Sequence, residues 1–506
     1  MSARPEPVTM AAAWQRAVSE HAGRPFLTFE APDGSITDWS YDEFDIIVNR
    51  TVGKLRDFGV GSGSAVHLAL TNSPTFIAVW LAALRIGAWI VPSDPMGRAP
   101  ELADHIARTG PVVGFCAESR SEVYGEAAGS LPHIRIDEAD ARLCWLDGTA
   151  EGEPGSPGAE DRAAVMFTSG TTGRPKGVEI TQANYAFAGQ AMAAASDLSA
   201  DDRHIVVLPL FHANAQYYSF ASAIWAGASV ALMDTFSASR FLAQAAWQEV
   251  THASLFAAPM RMILARGTKT DGVALRHCWF AQNITVDQHR TLTEWFGCEP
   301  RQLYGMTETI PAVLTDTGDA PRCDSMGFVT DGCSVDLHGP DGAPVGVGEV
   351  GEIVVGGVRG HTLFAGYLDD ADTTEVSFRD GWFLTGDRAT RDADGRWYFD
   401  GRRSDVLKVS GENVSTVEVE GVLASHPAVL EASVVGAPDE VRDEVPVAFV
   451  VPSDPDAPPT AEELTVWCAE QLSKPKVPTQ FTLLDELPRT SVGKIRKFLL
   501  KEESTR

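Results

Sequence analysis

Early in the chain, short apolar runs alternate with helical patterns, and this order limits the possible folds more than any other feature. Ala65–Leu70 is an apolar run that predicts a strand buried on both faces. Ser73 offers an N-cap to the helix that follows, and Gly87 is placed to end it. A second helix over 100–108 and a strand over 112–116 repeat the order. Strand–helix alternation of this kind predicts a parallel α/β sheet.

The later part of the chain has a different pattern. Two short strand patterns, 382–384 and 397–399, flank Asp394-Gly395, which predicts a hairpin turn. With 506 residues, the chain is long enough for more than one domain. We therefore predict an α/β fold with two parts. A large N-terminal region of αβ-layered subdomains covers residues 1–401, and a small C-terminal α+β domain covers residues 402–506.

The charge of the chain excludes several classes of partner. The formal net charge is -28, whereas proteins that bind nucleic acid need clustered Lys and Arg. The same acidity argues against anionic membranes as the main partner, while a few local positive groups still permit a nucleotide. The most apolar stretch, Phe76–Val91, is interrupted by Arg85 and Gly87 and is too short to span a bilayer.

The cysteines indicate a reducing compartment. Seven cysteines are scattered along the chain without a CxxC pair, and the first residues lack a signal-peptide pattern. We therefore expect reduced thiols and a cytoplasmic protein. No metal-ligand spacing such as HExxH occurs.

The strongest local motif is a glycine- and hydroxyl-rich segment over residues 168–178, directly after the apolar run Ala163–Phe167. Its glycines permit close backbone approach, and its hydroxyl and N–H groups can surround phosphate oxygens. It is not a Walker A loop, because Pro175 occupies the position of the second required glycine. The residues predicted to hold phosphate are Thr168, Ser169, Gly170, Thr171, Thr172, Gly173 and Lys176.

This segment resembles the signature loop of the adenylate-forming enzymes, which comprise acyl- and aryl-CoA synthetases, nonribosomal adenylation domains and beetle luciferases. The resemblance covers about residues 10–500, and the further motifs described below occur in the family's order. Phe280-Ala281-Gln282-Asn283, in place of the more common Gly-Gly-Ala-Pro, is similar to the carnitine/crotonobetaine-CoA ligase branch, as is the segment 236–241. The resemblance implies ATP, Mg²⁺ and coenzyme A as ligands.

The segment Tyr304-Gly305-Met306-Thr307-Glu308 resembles the family's second signature. By this resemblance Tyr304 packs on adenine, Thr307 contacts the α-phosphate, and Glu308 helps to hold Mg²⁺. A hard cation prefers carboxylate and phosphate oxygens, which suits that role. Gln302 is placed to meet the adenine amino group.

The remaining nucleotide residues lie towards the C-terminus. The resemblance implies that Asp387 accepts hydrogen bonds from the ribose hydroxyls and that Arg402 lies near the ribose. Residues 401–405 resemble an interdomain hinge about which the small domain moves, although Ser404 departs from the usual Asp or Lys.

Two further motifs of the small domain resemble segments of the family that occupy the active site one after the other. Lys408 and Gly411 belong to a loop that enters the site after the small domain rotates. Gly411 would leave room for the pantetheine arm of coenzyme A. Lys494, within Pro488–Arg496, would be the catalytic lysine of adenylation.

Residues 208–216 resemble the segment that lines the acyl pocket. Relatives that activate amino acids carry Asp directly after the Phe, whereas this chain has His212, so an α-amino acid is not expected. We predict His212 as a catalytic and substrate-binding residue and expect a mainly apolar acid of moderate size. The predicted pocket walls are Tyr217, Tyr218, Phe220, Phe280, Ala281 and Ile310.

These motifs predict an acyl-CoA synthetase. It would form acyl-AMP from ATP and a carboxylic acid, release pyrophosphate, and transfer the acyl group to coenzyme A. Four alternatives stay open: thioester formation from a supplied adenylate only, acyl loading onto a carrier protein, activation of another oxyanion such as nitrite, and nucleotide binding without catalysis. A homodimer also stays open.

Overall fold

The computed structural model describes residues 8–168, 175–402, 406–409, 412–439, 442–489 and 495–504. Four α-helices precede residue 110 and ten follow within these ranges. They are α1 (Met10–His21), α2 (Tyr41–Asp57), α3 (Pro74–Ile86), α4 (Ala99–Thr109), α5 (Ser121–Ala128), α6 (Gln182–Ala195), α7 (Ser222–Ala226), α8 (Phe241–Trp247), α9 (Ala257–Arg266), α10 (Val286–Phe296), α11 (Ala371–Val376), α12 (Thr416–Ala424), α13 (Ala461–Gln471) and α14 (Lys497–Ser504).

Most strands lie in the first 402 residues. They are β1 (Pro25–Glu30), β2 (Ile36–Ser40), β3 (Ala65–Ala69), β4 (Trp89–Pro92), β5 (Val113–Ala117), β6 (His133–Ile136), β7 (Arg162–Thr168), β8 (Lys176–Thr181), β9 (Arg203–Val206), β10 (Ser229–Met233), β11 (His252–Phe256), β12 (His277–Ala281), β13 (Arg301–Tyr304), β14 (Leu314–Thr315), β15 (Phe328–Val329), β16 (Ser334–His338), β17 (Gly351–Gly356), β18 (Gly366–Tyr367), β19 (Phe378–Arg379), β20 (Trp382–Arg391) and β21 (Trp397–Arg402). The later strands are β22 (Val406–Val409), β23 (Glu412–Ser415), β24 (Val429–Asp439), β25 (Asp443–Pro452) and β26 (Gln480–Leu483).

Two large sheets form the core of the N-terminal region. In the described residues, one has the order β15-β14-β13-β12-β11-β9-β10-β1-β2, and the other has the order β18-β8-β7-β4-β3-β5-β6. The strands from β13 to β1 pair in parallel, and so do those from β7 to β6. The parallel α/β sheet predicted from the early alternation is therefore confirmed.

The early helix follows from its sequence. The Ser73 side chain accepts a hydrogen bond from the Phe76 N–H, and Gly87 ends α3 with a left-handed φ of 74°. Every residue of α3 is buried, which fits a helix that is apolar on all faces and packed within the core.

The later strands of the N-terminal region form an antiparallel sheet, β16-β17-β20-β19, with β21 paired to β20. Gly395 turns the β20–β21 hairpin with a φ of 84°, as the Asp394-Gly395 pattern predicts. After β21 the chain enters another sheet, β23-β22-β25-β24, with β26 beside β25. Helices α12, α13 and α14 pack with this sheet, which gives the small C-terminal part an α+β architecture.

One ion cluster joins the small C-terminal sheet to the N-terminal region. Glu431 of β24 pairs with Arg261 of α9 at 3.3 Å and also with Arg489. Arg261 in turn donates to the Asn283 carbonyl oxygen at 2.8 Å, just beyond β12. Among the described helices, none has both the length and the apolar composition needed to cross a membrane.

Candidate active site

The candidate site lies where β9, β11, β12 and β13 end, because parallel strands direct their carboxyl ends to the same edge of a sheet. Tyr304 is the last residue of β13, and Thr307–Thr309 forms a short 3₁₀ helix after it. Gly305 lies in a tight place: a Cβ there would be 2.8 Å from the Tyr218 hydroxyl and 2.9 Å from the Pro311 carbonyl oxygen. The predicted nucleotide segment is therefore held closely at this edge.

Two residues at this edge have unusual backbones. Ile310 follows the 3₁₀ helix with a φ of 73° and is fully buried, although a β-branched side chain disfavours that region. Gln282 follows β12 with the same φ. Such conformations persist only where surrounding packing enforces them, and they concentrate at functional sites.

Glu308 is brought together with Lys176, which the sequence placed in a different motif. The Glu308 carboxylate is 5% exposed and accepts a hydrogen bond from the Tyr367 hydroxyl at 3.1 Å. The Lys176 ammonium nitrogen lies 4.6 Å from the centre of the Tyr367 ring, within cation–π range. Lys176 pairs across β7 and β8 with Thr168, so both ends of the predicted phosphate loop are close to this cluster.

A second cluster joins three residues that the sequence assigned to the nucleoside. The Tyr304 hydroxyl donates to Asp387 Oδ2 at 2.8 Å, and Arg402 Nε donates to Asp387 Oδ1 at 3.0 Å. Asp387 is 4% exposed. Its own N–H donates to the Thr385 hydroxyl at 3.1 Å, which fixes the carboxylate on β20.

Burial keeps the phenols of the site protonated. Burial raises the pKa of Tyr304 well above its usual range, and the Asp387 carboxylate adds to the rise. The pKa of Tyr367 is raised in the same way by burial and then by Glu308. Each phenol therefore remains a hydrogen-bond donor to its carboxylate at neutral pH.

Gln302 is buried beside the end of β12, where its amide nitrogen already has protein partners. It donates to Asn283 Oδ1 at 2.9 Å, to the Cys323 carbonyl oxygen at 3.1 Å and to the Gln282 carbonyl oxygen at 3.3 Å. An adenine amino group is a donor and needs an acceptor, so a contact with Gln302 would use Oε1. That contact stays a prediction.

The segment predicted to line the acyl pocket ends in a π-helix, Asn214–Ala221, whose residues are all buried. Asn72 anchors its beginning: the Asn72 amide donates to the Leu208 carbonyl oxygen at 3.1 Å, and its oxygen accepts from the Leu210 N–H at 2.9 Å. The His212 ring is half-buried and lies 4.4 Å from the Phe211 ring. Runs of π-helix are rare in proteins, and those that occur are often found at functional sites.

The structure separates Phe280 from most of the other predicted pocket walls. Tyr217, Tyr218, Phe220 and Ile310 share one hydrophobic cluster, and Ala281 packs against it. Phe280 belongs to a second cluster, with residues of α8, α9 and α10. Successive side chains of a strand point to opposite faces, so Phe280 faces away from Ala281. The prediction that Phe280 lines the same wall is corrected on this ground.

Several predicted residues lie outside the described part of the chain. They are Ser169, Gly170, Thr171, Thr172, Gly173, Ser404, Gly411 and Lys494. The main chain of Lys408 lies in β22. Met306 and Thr307 are half-buried beside Glu308.

Sequence reasoning missed two features of the site. Tyr367 is the second residue of a two-residue strand, and so short an element has no periodicity to detect. The π-helix was also missed, because its apolar residues fit an ordinary buried helix equally well. The alternation of Asn214 and Gln216 with apolar residues inside a buried segment was the available clue.

The residues present suit a magnesium ion bound through nucleotide phosphates. Mg²⁺ usually takes one or two carboxylates together with phosphate oxygens rather than a cage built of protein alone. Glu308 offers one buried carboxylate, and the described residues hold no cluster of three or more His, Cys, Asp or Glu able to bind a metal by itself.

Comparisons with known proteins agree with these motifs. The AMP-binding enzyme family matches residues 14–368, and the AMP-binding enzyme C-terminal domain matches residues 418–494. Crotonobetaine/carnitine–CoA ligase of Salmonella arizonae is 31% identical, over 96% of this chain and 98% of that protein. The Escherichia coli protein of the same name is 32% identical, with the same coverage of both chains.

Solved structures of CoA ligases have the same architecture. The anthranilate CoA ligase AuaEII, in complex with anthranoyl-AMP, gives a TM-score of 0.90 at 25% identity, over 100% of this chain and 98% of that one. O-succinylbenzoate coenzyme A synthetase from Bacillus subtilis, in complex with AMP, gives 0.85 at 28% identity, over 97% and 98%. This chain belongs to the AMP-binding enzyme family, among its acyl-CoA synthetases.

Proposed function

We propose that residues Tyr304–Glu308 are the centre of the site at which this acyl-CoA synthetase activates its acid. One observation carries the proposal: this short segment connects both clusters of the candidate site. At one end the Tyr304 hydroxyl donates to Asp387. At the other end Glu308 accepts from Tyr367, against which Lys176 packs. A nucleotide bound along the segment would place its ribose at Asp387 and its phosphates near Lys176 and Glu308.

The nucleoside is held by groups that are already oriented. Each oxygen of the Asp387 carboxylate has one protein donor in the described structure and keeps a further lone pair, so it can also accept from ribose hydroxyls. Arg402 and Tyr304 fix the carboxylate before the nucleotide arrives. Tyr304 offers its ring to adenine, and Gln302 offers Oε1 to the amino group.

In the first half-reaction, an oxygen of the acid attacks the α-phosphorus, the bond to pyrophosphate breaks, and acyl-AMP forms. Both reactants are anionic, so positive charge and hydrogen-bond donors lower the barrier. Lys176, Thr307, Lys494 and the loop 168–173 supply them. Mg²⁺, held by Glu308 and phosphate oxygens, would supply further positive charge against the charge that develops.

In the second half-reaction, the thiol of coenzyme A loses its proton and attacks the acyl carbon, and AMP leaves. The small C-terminal domain, residues 402–506, moves about residues 402–405 between the two steps. Lys494 withdraws, and the loop of Lys408 and Gly411 enters. Gly411 leaves space for the pantetheine arm.

The composition of the acyl segment limits the class of acid that can bind. Residues 208–226 contain no Asp, Glu, Lys or Arg, so a buried α-ammonium would find no carboxylate there. We therefore exclude α-amino acids and place the acid against His212, Tyr217, Ala281 and Ile310. The relatives named above act on crotonobetaine and carnitine, which makes these two acids the first to test. A cytoplasmic location is supported by the seven free cysteines and by the substrates ATP and coenzyme A.

The test is ATP–pyrophosphate exchange over a panel of carboxylic acids that includes carnitine and crotonobetaine, followed by detection of AMP and acyl-CoA after addition of coenzyme A. We expect exchange with one class of acid and acyl-CoA from that class. Thioester formation only from a synthetic adenylate, transfer only to a carrier protein, or exchange only with an oxyanion such as nitrite would each contradict the proposal.

Two variants separate the half-reactions. Lys494→Ala should lose about 100- to 1,000-fold in exchange and still convert a supplied acyl-adenylate to thioester. Gly411→Leu should retain exchange and lose thioester formation. Equal losses of both steps in either variant would contradict the assigned role.

A further inference from the structure

Asn214, the first residue of the π-helix, is a buried amide without a partner among the residues that the structure describes. It is 6% exposed, and both its Oδ1 and its Nδ2 are enclosed without a hydrogen bond among the described residues. It does not cap the helix, which has no side-chain cap bond. Leaving a buried polar group unpaired commonly costs about 1–3 kcal/mol, so a structural reason for asparagine is missing here.

Other buried asparagines of the chain are saturated. Asn72 donates to the carbonyl oxygens of Leu208 and Met233, and it accepts from the Leu210 N–H. Asn184 donates to two carbonyl oxygens and accepts from the Thr181 N–H. Both of these asparagines have a clear structural task, which is to hold main-chain segments together. Asn214 has no such task, although it is buried almost as deeply.

The position of Asn214 points to the acyl pocket. The backbone hydrogen bonds of a π-helix join residues five apart, so four residues make slightly less than one turn and Asn214 and Tyr218 lie on nearly the same face. The Tyr218 hydroxyl borders Gly305, at the segment on which the proposed function rests. Asn214 is also only two residues from His212. Its amide is therefore on the side of the helix that meets the candidate site.

We propose that Asn214 recognises a neutral hydrogen-bonding group on the acid, one that both donates and accepts, such as a hydroxyl or an amide. The asparagine side chain offers one acceptor and two donors, and all are without protein partners in the described structure. The segment 208–226 carries no carboxylate that could pair with a primary ammonium group on the acid. This inference rests on the proposed function and narrows the mainly apolar acid expected from the sequence to a polar one.

The test uses pairs of acids that differ by a hydroxyl in place of a methyl group, in pyrophosphate exchange with the full chain. Suitable pairs are β-hydroxybutyrate with isovalerate and para-hydroxybenzoate with para-toluate. In at least one pair, wild type should prefer the hydroxy acid by about 10- to 100-fold in kcat/KM. Asn214→Leu should reduce that ratio to within about threefold of one, mainly by losing the hydroxy acid.

Thermal unfolding separates recognition from a structural role. Asn214→Leu removes an unpaired polar group and breaks no protein hydrogen bond, so its Tm should be unchanged or higher. The matched control is Asn184→Leu, which breaks three hydrogen bonds outside the acyl segment and should lower the Tm and keep the ratio between the acids. Asn214→Ala, which only removes atoms, serves as a second variant with the same expected loss of preference.

Several results would overturn the inference. They are a hydroxyl preference that survives Asn214→Leu and Asn214→Ala, equal losses for both members of each pair, and the absence of any hydroxyl preference in wild type. A stronger preference for γ-butyrobetaine over its tert-butyl isostere would indicate a cation site instead. Absence of exchange with every acid would contradict the proposed function itself, so the two failures are distinguishable.

Discussion

The two sides of the candidate site differ in how their buried polar groups are satisfied. On the nucleotide side, Asp387 has a donor on each oxygen and Glu308 has a phenol donor. On the acyl side, the Asn214 amide and the Tyr217 hydroxyl are buried without a partner among the described residues. Both sides are equally enclosed, so exposure to solvent does not explain the difference.

The difference indicates two strategies of binding. Groups that are oriented by protein contacts lose little freedom when a ligand arrives, which suits a nucleotide that is the same in every turnover. An unsatisfied buried group makes the free protein less stable, and the correct ligand removes that cost while an incorrect one does not. Selectivity for the acid is therefore expected to reside on the acyl side.

The strongest way to break the nucleotide side is Glu308→Gln. The amide keeps the shape of the side chain and removes the charge that suits Mg²⁺ and the triphosphate. We expect the rate of pyrophosphate exchange to fall by about 100- to 1,000-fold. When exchange is measured at increasing Mg²⁺ concentrations, Glu308→Gln should need more Mg²⁺ than wild type to reach half of its maximal rate.

Tyr367→Phe is the matched control, because it removes the phenol that donates to Glu308 but leaves the carboxylate. Its loss should be about tenfold or less, because the phenol only orients the carboxylate and a net hydrogen bond contributes about 0.5–1.5 kcal/mol. If both variants lose activity equally without a change in metal requirement, Glu308 acts only by holding the fold.

The sequence predicted the proximity of residues on the proposed nucleotide side better than it predicted the acyl side, and the binding roles of both sides stay predictions. Tyr304, Glu308 and Asp387 belong to contiguous motifs, so their proximity follows from a resemblance that spans the chain. Tyr367 lies outside every motif used. The pairing of β18 with β8, and the hydrogen bond from the Phe364 N–H to the Glu308 carbonyl oxygen at 3.0 Å, bring it to Glu308. Its role depends on long-range packing that local patterns do not encode.

Phe280 shows a second limit of sequence reasoning. It stands beside Ala281 in the sequence, and both were predicted to face the acid. The face of a strand residue depends on register, and a shift of one residue exchanges the two faces. Here Ala281 packs against the cluster that contains Tyr217 and Ile310, and Phe280 packs among helices α8, α9 and α10 in the other cluster. The early elements, such as α3 with its Ser73 cap, were predicted to within about one residue at their ends, whereas β20 and β21 extend seven and three residues beyond the predicted 382–384 and 397–399.

A smaller effect is expected from Asp387→Asn. Asparagine retains one oxygen acceptor and loses the charge that Arg402 and the ribose hydroxyls favour. We expect the KM for ATP to rise by about 10- to 100-fold, as for loss of a hydrogen bond to a charged group. Wild type should discriminate strongly against deoxy-ATP, and the variant should discriminate less.

Two neighbouring variants sharpen this result. Tyr304→Phe removes only the donor to Oδ2 and should raise the KM by about fivefold. Arg402→Gln should have the smallest effect, because the Arg402 side chain is 50% exposed and surface pairs contribute little. If Arg402→Gln raises the KM for ATP as much as Asp387→Asn does, the ion pair between Arg402 and Asp387 determines ATP binding and the ribose contact of Asp387 does not.

Two buried histidines near Phe167, at the C-terminal end of β7, affect stability rather than activity. The Ser93 hydroxyl contacts His67 Nε2 at 3.0 Å and His105 Nδ1 at 2.8 Å, and the His105 ring stacks on Phe167 at 3.9 Å. Phe167 directly precedes Thr168. These contacts connect the end of β7 to two buried, titratable rings. The stability of the folded protein should therefore depend on pH.

Burial lowers the pKa of His67 to about 3 and that of His105 to about 4, whereas an unfolded histidine titrates near pH 6.5. Below pH 6.5 the unfolded state binds more protons, so stability is full above that pH and is lost as the pH falls towards the folded pKa values. Each ring should lower the free energy of unfolding by about 1.4 kcal/mol at pH 5.5. Urea unfolding at pH 7.5 and 5.5 measures the loss, and His67→Gln should reduce it by about one ring's contribution. If His67→Gln loses as much unfolding free energy between pH 7.5 and 5.5 as wild type does, His67 binds protons equally well in the folded and unfolded states, and the prediction is wrong.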